Sequence, residues 1–187
     1  MALISAKTIL TSLSLFHVTL AYFFFTNPSS IAEQTLVFVL GESMGMPRTT
    51  AFDIPTPTTS VLAVALLLLG LSDILTLSMP EEIWLVHHWG AQAPLRVFVF
   101  SLLTVFVFAT TPSGGRAAPG RMSHPLAPGG ARWEGGGWDG LRNRVFFTLA
   151  FVEMMGWFWV WVTLREESRV FAGRKRRRSS AADKRAA

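Results

Sequence analysis

The 187-residue chain is 50% hydrophobic, with a mean hydropathy of +0.39 and a formal net charge of +5, a composition of the membrane class. Its apolar residues fall in long, nearly charge-free runs rather than short amphipathic pieces, which argues against a soluble domain. With no cysteine, disulfides, thiolate nucleophiles and thiolate metal sites are excluded together.

In chain order, the first run, about 9–25, follows Lys7 and ends in Tyr22-Phe23-Phe24-Phe25, a positively flanked span with an interfacial aromatic belt. Bulky aromatics occupy the place of a small-residue cleavage site, so a retained signal-anchor is expected rather than a removed leader. Ser30 and Glu33 then have the spacing of a capping box. They predict a short helix over 31–45, closed where Gly45 accepts a left-handed C-cap and Pro47 stops the ladder. At roughly 15 residues it reaches about 22 Å, short of a ~30 Å hydrocarbon core. Carrying Glu33 and Glu42, it reads as interfacial or partly embedded.

The second span is predicted over 58–79, with Gly70 and Asp73 in its second half and Pro80 closing it. A connector with Trp84, His87, His88 and Trp89 has the mixture of a headgroup region. The third span, 94–110, is expected to open at Pro94 with Arg96 just inside. Residues 111–143 hold nine of the 15 glycines and four prolines, the composition of a flexible loop. The fourth span, 145–164, carries Glu153 near its middle and Trp157, Trp159 and Trp161 towards its end. Residues 169–187, with Arg174, Lys175, Arg176, Arg177 and Arg178, read as a disordered basic tail drawn to anionic lipid.

The predicted architecture is therefore all-α: a membrane bundle over 1–168 of four transmembrane helices plus the short helix. Four spans place both termini on one side, and the basic tail assigns that side to the cytosol. A first span without the Arg-rich pattern of a mitochondrial presequence favours insertion into the endoplasmic reticulum.

Asp73, Arg96 and Glu153 most need explaining, since an ionised group in hydrocarbon costs at least about 2.5–3.5 kcal/mol on insertion scales. They must face inward. Asp73 and Arg96 lie near the same membrane face on consecutive spans, which suits an ion pair across an antiparallel hairpin; Glu153 lies deeper. One reading makes them a polar network holding the helices together, with Glu33 and Glu42 as secondary candidates. The other makes them a path for a cation such as potassium, which in so small a bundle requires a homo-oligomer.

His17, His87, His88 and His124 lack ligand spacing for a metal and read as interfacial. No hydrolase, metalloprotease or phosphate-binding motif is present, so neither catalysis nor a cofactor is expected. The expected partner is the lipid bilayer; without a nucleic-acid-binding module, direct nucleic acid binding is not expected.

Glu42-Ser43-Met44-Gly45-Met46-Pro47, Gly70-Leu71-Ser72-Asp73, Ala93-Pro94-Leu95-Arg96, and the stretch from Val145-Phe146-Phe147 through Glu153-Met154 to Leu164-Arg165-Glu166-Glu167 come in an order and spacing that resembles the fungal "increased loss of mitochondrial DNA" membrane-protein family. The likeness covers about residues 8–168, and the loop before the fourth span is long for that family. The resemblance implies a four-span protein of the endoplasmic reticulum whose loss harms the mitochondrial genome, with an indirect role through ion balance or lipid supply. It also implies a potassium-channel reading. It supplies no defined active site.

Overall fold

The computed structural model describes residues 4–111 and 138–186, which are helical with no strand among them. Most of the expected loop at 111–143 lies outside the described residues. Helix α1 (Ala6–Thr26) opens on Ser5, whose hydroxyl accepts from the Thr8 N–H. Two short helices follow, α2 (Ser29–Ala32) and α3 (Thr35–Ser43). Helix α4 (Pro57–Thr76) starts with a Thr56/Thr59 capping box and proline at its first position, where the missing N–H is not needed. A π-helical turn, Ile83–His88, runs directly into α5 (Trp89–Thr110). A 3₁₀ turn at Asp139–Leu141 leads into α6 (Arg144–Ala186).

Among the described residues, four helices are long and apolar enough to cross a membrane: α1, α4, α5 with its preceding turn, and α6. Helix α4 packs along α1 and α5 along α6, and α1 meets α6 to join the pairs. Val61, Leu68 and Leu75 recur every seventh residue on α4, and Phe98, Leu102 and Val105 stand out on α5, all more than half exposed. Apolar surface of that extent is stable against lipid, not water.

The elements differ from the expected ones in four places. The single helix over 31–45 is two, because Gln34 adopts an extended backbone (ψ 136°). The Ser30–Glu33 capping box does not form, since α2 starts earlier, after Pro28, and Glu33 is its C-cap. At the far end Gly45 has φ 67°, with hydrogen bonds from Gly45 N to Glu42 O (3.1 Å) and Met46 N to Gly41 O (2.8 Å), the pairing of a Schellman C-cap. The third long helix does not open at Pro94, which lies inside α5. Upstream of α5 the ladder widens into a π turn, Trp89 N–H reaching Trp84 O five residues back.

Finally, residues 169–187, expected as a disordered tail, continue α6 as helix to Ala186. Arginine, lysine and alanine, which make up most of this segment, are good helix formers. At 43 residues, α6 reaches about 64 Å, twice a ~30 Å hydrocarbon core.

Both ends of the bundle are tied. At one, the Ala6 N–H at the start of α1 donates to Glu167 Oε1 at 2.8 Å, placing a carboxylate on orphan donors and the positive end of the helix dipole. Arg174 lies 3.9 Å from Glu81 at the same end. At the other, Arg144 N–H donates to Pro47 O (3.2 Å) and Arg142 Nε to Thr110 Oγ1 (3.2 Å).

Gly70 sets the spacing of α1 and α4. A Cβ there would stand 2.8 Å from the Ser14 carbonyl oxygen and 3.2 Å from His17 Cβ, and a backbone atom cannot move aside alone. Gly70→Val is therefore expected to push the pair apart and lower stability by about 1–3 kcal/mol. Thermal unfolding in detergent micelles is the measurement; an unchanged melting temperature would show that the close approach is dispensable.

Candidate functional site

The buried polar residues gather where two apolar cores meet. One core holds Leu10 and Leu13 of α1 with Trp89, Trp157 and Val160, and the other holds Leu20 and Phe24 with Ala63 and Val145. Along α1 the step from one to the other falls at His17, and along α6 at Glu153.

Asp73 and Arg96 face each other from α4 and α5. Arg96 Nη1 donates to Asp73 Oδ2 at 2.7 Å and Nη2 to Oδ1 at 3.0 Å, a bidentate fork that fixes both groups. Asp73 is 3% exposed. Beneath it, Trp89 and Trp157 stack with centroids 5.4 Å apart and an interplanar angle of 20°. The Arg96 guanidinium lies 4.4 Å from the Trp157 ring centroid and 5.2 Å from that of Trp89, so its positive charge meets a carboxylate and the negative faces of two rings.

Glu153 forms the second cluster. Its Oε1 lies 2.8 Å from His17 Nε2, and its Oε2 accepts from the Trp157 indole N–H at 2.8 Å. Both members are buried, His17 at 1% and Glu153 at 6% exposed. Trp157 thus belongs to both clusters, its edge on Glu153 and its face under Arg96. Asp73, Arg96, Trp157, Glu153 and His17 form one chain of contacts drawn from all four long helices.

Two of these residues are not where their sequence context put them. His17 reads as an interfacial histidine but is buried in the centre of the bundle, and Trp157, which the sequence places only towards the end of the fourth span, is 1% exposed. The available signal was position: His17 stands mid-run, where an ionisable side chain needs a partner inside. Glu33 and Glu42 are exposed, on the end of α2 and on α3, outside the long helices and joining neither cluster. Of the basic segment, Arg174, Arg176 and Arg177 are exposed on α6; for Lys175 and Arg178 only the backbone is described.

Chemically the arrangement is saturated on its acidic side. Both oxygens of Asp73 and both of Glu153 accept hydrogen bonds or face a ring nitrogen. The polar atoms left over belong to others: among the described residues His17 Nδ1, Trp89 Nε1 and Thr148 Oγ1 are buried without a hydrogen-bond partner.

The fold and site define an all-helical membrane protein whose four candidate spans are laced by a buried charged network. The model of one family, described as increased loss of mitochondrial DNA protein 1, matches residues 4–174. The chain belongs to that family, and so to membrane proteins linked to mitochondrial DNA maintenance. No curated protein and no solved structure matches it significantly.

Proposed function

We propose that the chain is a multi-pass protein of the fungal endoplasmic reticulum membrane, non-enzymatic, that supports the mitochondrial genome indirectly, with both termini in the cytosol. The observation that carries this reading is the pairing of both buried carboxylates among the described residues: Asp73 is held by Arg96, and Glu153 by His17 and Trp157. Carboxylates so engaged hold helices together, which supports a structural role for this network. Arg165, Arg169 and Arg174, just past the apolar part of α6, support a cytosolic C-terminus by the positive-inside rule.

Location and indirectness are tested together. In cells lacking the protein, a version held in the reticulum by a retention signal is expected to restore mitochondrial DNA copy number, and a version redirected to mitochondria is not. The opposite pattern would overturn the reading. A potassium path through Asp73 and Glu153 requires those groups to leave their partners for an ion. Purified protein in planar bilayers is therefore expected to be silent in potassium and sodium salts; cation-selective openings altered by Asp73→Asn would replace the structural network with a conduction path.

A further inference from the structure

His17 and Glu153 also form the polar end of an apolar cavity of about 180 Å³. Its walls come from the whole bundle: Leu20 and Phe24 of α1, Leu66 and Leu69 of α4, Phe100 of α5 and Leu149 of α6. The volume is close to that of cavities which stay dry and take a small apolar molecule. Helices α4 and α5 pack little against each other, and the half-buried Leu66, Leu69 and Phe100 line the cavity on that side.

The second observation is His17 Nδ1, buried without a partner on a side chain only 2% exposed. When Nε2 carries the proton and donates to Glu153, Nδ1 is an acceptor. When Glu153 carries it, Nδ1–H is a donor. A hydroxyl satisfies both states, because it donates and accepts. A carboxylate would bring a second anionic group beside Glu153 into a dry site, and an alkane would leave Nδ1 unpaired.

We propose that this cavity binds an uncharged membrane alcohol, its hydrocarbon chain between α4 and α5 and its hydroxyl on His17 Nδ1. The site goes beyond the maintenance role and stands or falls independently of it. The probe is a diazirine-bearing octanol, photolysed with the purified full-length protein in nanodiscs, with adducts mapped by peptide mass spectrometry. Labelling is expected on Leu66, Phe100 or Leu149 and is expected to be displaced by octanol but not by octane or octanoate. Leu66→Trp, which fills the cavity without touching the charged network, is expected to abolish it. His17→Gln keeps a donor for Glu153 but removes Nδ1, and is expected to weaken displacement by octanol about three- to tenfold, the worth of one hydrogen bond. Equal displacement by octane, labelling that survives Leu66→Trp or spreads over the outward-facing Val61 and Leu68, or no labelling at all would each overturn the proposal.

Discussion

Arg96→Met is expected to destabilise the protein by about 3–5 kcal/mol, the range found when one partner is removed from a buried ion pair. Asp73 would keep its burial and lose both N–H donors, in surroundings where lipid offers no replacement. The loss far exceeds the ~0.6 kcal/mol average of a single side-chain hydrogen bond between membrane helices, because an unpaired carboxylate and not only a bond is at issue. The control is the double replacement Asp73→Leu with Arg96→Met, expected to recover most of the loss, since apolar residues of similar volume often replace a buried pair at little cost. Unfolding in mixed micelles, followed by far-ultraviolet circular dichroism, separates the cases. If the single and double variants unfold together, the unpaired Asp73 carboxylate is not the source of the loss, and the contact of Arg96 with the Trp89–Trp157 stack is.

The contrast between these partners and their neighbours explains how much of the site could be read from the residues. Asp73 and Arg96 were legible because each is a lone charge in an apolar run, and their register follows from a short connector between antiparallel helices. Glu153 was legible as buried, yet its partners were not: His17 and Trp157 are residue types equally at home in a membrane interface. Only packing distinguishes the roles, and packing joins residues 136 positions apart. Boundaries failed for a related reason. Pro94 signals a first helical turn in water-exposed sequences, whereas α5 begins at Trp89, directly after a π turn, and runs through it. The helix past Leu164 follows from local propensity, which a reading by charge run overlooked.

Trp157 is the residue whose loss is expected to damage both clusters at once. Trp157→Ala removes a fully buried ring, which by volume alone costs about 3–5 kcal/mol. It also strips Glu153 Oε2 of its donor and exposes the underside of Arg96. Trp157→Phe separates these parts: it keeps an aromatic face for Arg96 and Trp89 but deletes the indole N–H, so its cost is expected to be the roughly 1–3 kcal/mol of an unsatisfied buried acceptor. A double-mutant cycle between Arg96→Met and Glu153→Leu, one residue from each cluster, should then show coupling of about 0.5–3 kcal/mol, as for residues in one network. Additive losses would mean that the two clusters are merely adjacent. Coupling would mean that the pairing on α4 and α5 is felt at His17 through one ring, so that whatever occupies the cavity beside His17 bears on the seam between α4 and α5.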